Sequence, residues 1–316
     1  MYFRRGRILS SVIILTLVLI CRAYRVTKFG PGPHHTQLIY SGPSSGDVDD
    51  YLKDAESAVD AKNLDAGIKA LSEAIRLEPD RPDTYIQRAI VYDLKKDYDR
   101  AVADCSEAIK LDAKNGHAFY VRGVSRANKG DHDGAIKDLT ASLDLDPSNA
   151  DCYLRRGDSY EAKKDFARAL SDFNDAIRLD PAKGEAFADR GRLYEDKKEY
   201  ENAAADYAQA IVVDREDPLA YNNLAWIYAT CPKAELRNGK LAVEYALYAC
   251  RKAEWKEPEY FDTLAAAYAE VGQFGEAVKW AKKALESPDL KSDHEAAGRV
   301  QKRLYCYQAG KPYRAD

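Results

Sequence analysis

From Val48 onward, apolar and small residues recur every three or four positions in blocks of about a dozen, and the block order returns every 34 residues. That spacing predicts amphipathic helices in pairs. Modules run 48–81, 82–115, 116–149, 150–183, 184–217, 218–257 and 258–291, the sixth carrying six extra residues. Position 4 is aromatic throughout: Tyr51, Tyr85, Phe119, Tyr153, Phe187, Tyr221 and Phe261. Position 8 is Ala or Gly: Ala55, Ala89, Gly123, Gly157, Gly191, Ala225 and Ala265. Small residues return at position 20 (Gly67 to Ala277) and position 27 (Ala74 to Ala284). A small residue at 8 facing small residues at 20 and 27 lets two helices cross closely, with the aromatic filling the space beside them. Lys62, Asp97, Gly130, Lys164 and Lys198 mark the turn between the helices, and Pro79, Pro147 and Pro181 end second helices. A helix–turn–helix of this size cannot bury its apolar faces alone and must stack on its neighbours.

The aromatic, Gly/Ala, Ala, apolar, Ala and Pro signature over residues 48–291 resembles the tetratricopeptide repeat family. The resemblance implies an all-α, right-handed superhelical solenoid of about seven helix-turn-helix modules with a C-terminal capping helix. Tyr92, Tyr160, Tyr194, Tyr228 and Tyr268 fit its position 11, whereas Ala58 and Arg126 depart from it. Gly67 predicts a weaker second helix in the first module. The stretch TCPKAELRNGK predicts a longer loop inside module six. Residues 292–316 read as a capping helix and tail, structural rather than functional, with Ser292 and Glu295 at capping-box spacing.

Composition sharpens this picture in two places. With 46% hydrophobic residues the chain can build a core, and 18 Gly with 12 Pro favour helix over a turn-rich β fold. The net charge of −4 hides an asymmetry: Arg4, Arg5, Arg7, Arg22, Arg25 and Lys28 face no acid before residue 47, so the body is more acidic than the whole. An acidic body argues against nucleic acid as the main ligand. Ile8–Cys21 (ILSSVIILTLVLIC) is almost purely apolar behind three arginines. Residues 1–28 are therefore expected to be a signal anchor or a signal peptide. Retained anchoring is the preferred reading, with membrane contact through residues 8–21 and the repeat body extracytoplasmic rather than cytoplasmic. Cleavage near Cys21-Arg22-Ala23, releasing a soluble exported adaptor, stays open. Residues 29–47 (FGPGPHHTQLIYSGPSSGD) read as a flexible Gly/Pro/Ser linker.

In the family this chain resembles, first helices line a concave groove. Positions 2, 5, 9 and 12 are the stripe left free for it, and aliphatic residues repeat there in register. The candidate partner-binding residues are Leu52, Asp83, Ile86, Ile90, His117, Tyr120, Val124, Asp151, Leu154, Asn222, Asn223 and Trp226. An acidic rim at position 2 beside an apolar floor favours a protein or peptide partner with apolar anchors and basic flanks. Asn222, Asn223 and Trp226 either hold such a peptide or cap the module-six insertion. The Lys/Asn clamp by which chaperone-binding relatives hold an acidic carboxy terminus is absent from the matching slots. The competing class is a structural homo-oligomer whose groove takes a second copy.

Six cysteines contain no C-x-x-C pair. Cys105 reads as core, and pairing of Cys231 with Cys250 stays open. His132 reads as a packing residue, and no phosphate-loop, nucleophile-elbow, zincin or dinucleotide motif is present. The sequence thus predicts no enzyme, no cofactor, no metal and no small-molecule substrate.

Overall fold

The computed structural model describes residues 45–315. The signal or anchor segment 1–28 and residues 29–44 of the linker lie outside the described residues. Residues 45–47, placed in the linker by composition, are instead the first turn of a helix. The first four N–H groups of a helix have no intrahelical acceptor, so a turn ahead of the buried Val48 brings that residue into the hydrogen-bond ladder.

The chain divides at Lys163–Lys164 into two compact units, both built of α-helices with no strand among the described residues. The first holds α1 (Ser45–Asp60), α2 (Leu64–Leu77), α3 (Pro82–Leu94), α4 (Tyr98–Leu111), α5 (Gly116–Lys129), α6 (His132–Leu145) and α7 (Ala150–Ala162). The second holds α8 (Phe166–Leu179), α9 (Gly184–Asp196), α10 (Tyr200–Val213), α11 (Pro218–Thr230), α12 (Gly239–Lys252), α13 (Pro258–Glu270), α14 (Phe274–Glu286), the short α15 (Pro288–Ser292) and α16 (His294–Gln308). Within each unit the helices pack in consecutive pairs: α1 with α2, α3 with α4 and α5 with α6, then α9 with α10, α11 with α12 and α13 with α14.

Local chemistry sets the boundaries. Asn63, Asp97, Asp131 and Asp165 cap second helices, each carboxylate or amide oxygen accepting the backbone N–H three residues on. Asn115 and Asn149 do the same for α5 and α7, and Pro82, Pro218 and Pro258 occupy first turns, where a missing N–H costs nothing. The inter-helix turn needs one left-handed residue. Gly130 supplies it at φ 93°, while Lys62, Lys96, Lys164 and Lys198 are held at φ 59–62°. The turn residue of module two is therefore Lys96, and Asp97 is the cap that follows it. A non-glycine residue there costs about 1 kcal/mol. Lys96→Gly is accordingly expected to stabilise the first unit by about 0.5 kcal/mol after the larger chain entropy of glycine is counted, read as a small rise in denaturant midpoint.

The small residues sit where helices touch. A methyl on Gly123 would meet Leu139 Cγ at 2.8 Å and the Ala135 carbonyl at 3.3 Å, and one on Gly191 would meet the Tyr207 ring at 3.0 Å and the Ala203 carbonyl at 3.3 Å. Position 8 thus lies directly against positions 20 and 24 of its own module.

A second periodic device locks modules together. At position 7, Arg88 donates two hydrogen bonds to Asp104 at 2.8 Å, 16 residues on, and a third at 3.0 Å to Ser72 of the preceding module. Arg122 repeats this with Asp138 and Ser106, and Arg190 with Asp206 and Asn174. Each guanidinium also lies 5.5–6.0 Å from the ring of its position-4 aromatic. In modules six and seven both charges are gone together, replaced by Leu224 with Tyr245 and Leu264 with Trp280. Arg126, the departure at position 11, adds a further bond to Asp138 at 2.8 Å. Asp104 has no such second guanidinium. Arg88→Ala is therefore expected to cost about 3 kcal/mol by leaving a carboxylate only 9% exposed unpaired, and Arg122→Ala at least about 1 kcal/mol less, checked by urea unfolding of both variants.

In the second unit, the module-six insertion is an ordered loop containing a 3₁₀ turn, Ala234–Leu236. Asn238 returns it to α11 through a backbone bond to the Tyr228 carbonyl at 2.9 Å, and Arg237 Nη1 bonds the Cys231 carbonyl at 3.0 Å. The expected Ser292–Glu295 capping box is replaced by another device. Ser292 ends α15 with its hydroxyl on the Asp289 carbonyl, and Asp293 caps α16 through the Ala296 N–H. Aspartate, one residue nearer the helix, takes the orphan donor directly.

Candidate functional site

On the first unit the site is built from α1, α3, α5 and α7. Asp83 is exposed at the start of α3, while Leu52, Ile90, His117, Tyr120, Val124 and Asp151 are half-buried. Ile90 and Tyr120 are partly buried and pack against one apolar cluster. Ile86 lies inside that cluster at 1% exposure, beside Ala89, Ala118 and Val121. Leu154 is buried as well. These two residues, expected on an open wall, are core residues covered by the packing of neighbouring helices, whereas Leu52 and Tyr120 at the same position 5 stay half-buried. His117 stacks on Tyr120 with ring centroids 6.4 Å apart. Burial holds the His117 imidazole below its ordinary pKa, with the Asp83 carboxylate pulling the other way. Its Nε2 has no hydrogen-bond partner. The result is an apolar strip with acids at one end and a neutral imidazole on its edge.

On the second unit, Asn222 and Trp226 of α11 are buried and Asn223 is half-buried. Asn222 Nδ2 donates to Asn223 Oδ1 at 3.3 Å, and neither amide caps the insertion, whose following helix is capped by Asn238. What lies on Trp226 is the end of this same unit. The Arg303 guanidinium of α16 sits 5.3 Å from the Trp226 ring and 5.5 Å from that of Tyr313. It donates to both oxygens of Asp262, at position 5 of α13, at 3.0 and 2.6 Å. Glu270 of α13 pairs with Arg237 of the insertion at 3.0 Å and with Arg314 at 2.7 Å. Asp262, Glu270 and Arg303 were not singled out by the sequence reading. A carboxylate standing at position 5, where modules one to five carry apolar residues and module six Asn222, was the available signal.

Among the described residues, no cluster of three or more His, Cys, Asp and Glu is placed to hold a metal. Cys231 and Cys250 are buried free thiols, and burial pushes the Cys250 thiol up to about 12. His132 is half-buried with Nδ1 unpartnered. No helix is long and apolar enough to cross a membrane among the described residues, which do not include 8–21.

Family models described as Tetratricopeptide repeat match residues 52–118, 120–184 and 184–217. No curated protein matches the chain. Of the solved structures it resembles, the crystal structure of the APC/C hetero-tetramer Cut9-Hcn1 gives a TM-score of 0.63 at 15% identity, covering 81% of this chain and 54% of that one. A tetratricopeptide repeat protein from Parabacteroides merdae ATCC 43184 gives 0.55 at 15% identity, covering 81% of this chain and 100% of that one. YrrB, a TPR protein with an unusual peptide-binding site, gives 0.44 at 22% identity over 54% of this chain and 88% of its own. Residues 218–315, beyond the matched stretches, continue as helix pairs α11–α12 and α13–α14 followed by α15 and α16. With its 34-residue period, its packed helix pairs and family models that match more than half of it, the chain belongs to the tetratricopeptide repeat family.

Proposed function

We propose that this chain is a non-catalytic interaction scaffold that holds a peptide or helix of a partner protein against the first helices of its modules. The observation that carries the reading is the strip of Ile90, Tyr120 and Val124 on α3 and α5. These side chains are half-buried, with Ile90 and Val124 in register at position 9 and Tyr120 beside them, and the strip is bordered by the exposed Asp83. Solvated helix faces do not repeat large apolar residues in register, and a strip of this kind suits apolar anchors with a basic flank. The apolar segment 8–21 and the linker after it support a scaffold tethered to a membrane, with its repeats on the extracytoplasmic side.

The test compares cross-linked co-purification of the wild-type chain with an Asp83→Lys/Ile90→Gln/Val124→Gln variant, after circular dichroism has shown equal helix content. These positions are at or near the surface, so the variant is expected to fold. Loss of a specific partner, by about tenfold or more in recovered amount, is the expected result. An unchanged partner set removes the first unit's strip from recognition.

A further inference from the structure

The segment that follows α16 does not run off into solvent. After Gly310, at φ 67°, Lys311 bonds back to the Cys306 carbonyl at 2.9 Å, and residues 312–315 lie along α11. Tyr313 places its ring 6.1 Å from Trp226. Arg314 makes its ion pair with Glu270 at 2.7 Å, and its Nη1 reaches the Ala229 carbonyl at 3.4 Å. The Ala315 N–H donates to the Thr230 carbonyl at 2.9 Å. These are the contacts of a bound peptide: an aromatic anchor on a tryptophan, an arginine on a half-buried acid, and a backbone N–H on a carbonyl at a helix end. They fall on α11 and α13, first helices of modules six and seven, which are the elements a partner would use.

The fill is incomplete. Asn222 Oδ1 on α11 and Thr263 Oγ1 on α13 are buried without partners, although each group normally holds a hydrogen bond. The resident segment therefore satisfies the C-terminal ends of these helices and leaves polar atoms earlier on the same two helices unmet. On this wall Asp262 is taken by Arg303, whereas Glu270 accepts Arg314 of the segment as well as Arg237, so the contacts that reach the segment select an aromatic residue followed by arginine.

We propose that the wall formed by α11 and α13 is a docking site for an extended partner segment carrying an aromatic residue followed by arginine, and that Lys311–Ala315 is its intramolecular occupant, displaced when the partner binds. This rests on the reading of the repeats as a peptide-binding array and names the ligand class of the second unit. An occupant in cis competes at high effective concentration, so the site answers only to a segment that binds better than the resident one.

The experiment uses a fluorescein-labelled peptide with the sequence of residues 310–316, GKPYRAD, titrated against the full chain, against the chain lacking residues 311–316, and against a full-length Tyr313→Ala/Arg314→Ala variant. The peptide is expected to bind the latter two at least about tenfold more tightly than the intact chain. Changing its tyrosine or its arginine to alanine, or Glu270 to Gln in the shortened chain, is expected to weaken binding by about tenfold. Circular dichroism establishes that each variant is folded, and the double variant keeps the test available if the deletion is not. Equal, absent or tyrosine-independent binding in folded variants overturns the proposal. If the shortened chain still captures the partner lost in the Asp83/Ile90/Val124 variant while ignoring this peptide, the scaffold reading stands and this inference alone fails.

Discussion

Replacing Asp262 by alanine is expected to destabilise the second unit by about 3–5 kcal/mol, the cost of leaving a buried charge without its partner. Arg303 and Asp262 have side chains only 6% and 3% exposed, joined by two hydrogen bonds, with the guanidinium 5.3 Å from the Trp226 ring and 5.5 Å from that of Tyr313. Taking away the carboxylate strands the guanidinium among aromatic rings that offer only cation–π attraction, worth about 1–2 kcal/mol. The effect is read as a lower urea midpoint and as loss of amide-exchange protection in α13 and α16, which the pair ties together. An Asp262→Leu/Arg303→Leu double variant is expected to recover most of the loss, since neither charge is then buried alone. If Asp262→Ala costs less than about 1 kcal/mol, α16 does not depend on this pair.

The second large effect is expected at Ile86. Ile86→Glu removes a fully buried side chain from the cluster of Ala89, Tyr92, Ala101, Cys105 and Val121 and puts a carboxylate in its place. Lost burial plus the cost of an unpaired charge comes to more than about 4 kcal/mol, enough to unfold the module at neutral pH. Ile90→Glu, one helical turn later and half-exposed, is expected to cost under about 1.5 kcal/mol. The pair separates packing from recognition. Ile86→Glu loses helix signal and any partner together, whereas Ile90→Glu keeps its helix signal and loses the partner.

These two positions also show what could be read along the chain. Helix pairs were legible because position 4 must fill space and position 8 must leave it, so residues such as Phe119 and Gly123 recur for steric reasons that need no knowledge of neighbours. Ile86 and Ile90 look alike in sequence. Only the packing of one first helix against the next separates them, since that contact covers position 5 more than position 9. Nothing local in the sequence says that Arg88 meets Asp104, 16 residues on, or that it also reaches Ser72 in the preceding module. Arg126 reads as a departure from the repeat until Asp138 is seen between it and Arg122. The cover on Trp226 was hidden most deeply, because it depends on where α16 ends and turns back, a matter settled by Gly310 and by the acids Asp262 and Glu270 of module seven.

The central claim, that partners are held by the first helices rather than by the outer second helices, is tested most directly by site-specific photocross-linking. A photoreactive phenylalanine analogue is placed at Val124 on α5 in one preparation and at Glu107, exposed on α4, in another, and both are irradiated in the source cells. The account predicts a discrete cross-linked partner band from Val124 and none from Glu107. A band from Glu107 with none from Val124 would place recognition on the outer surface and contradict it.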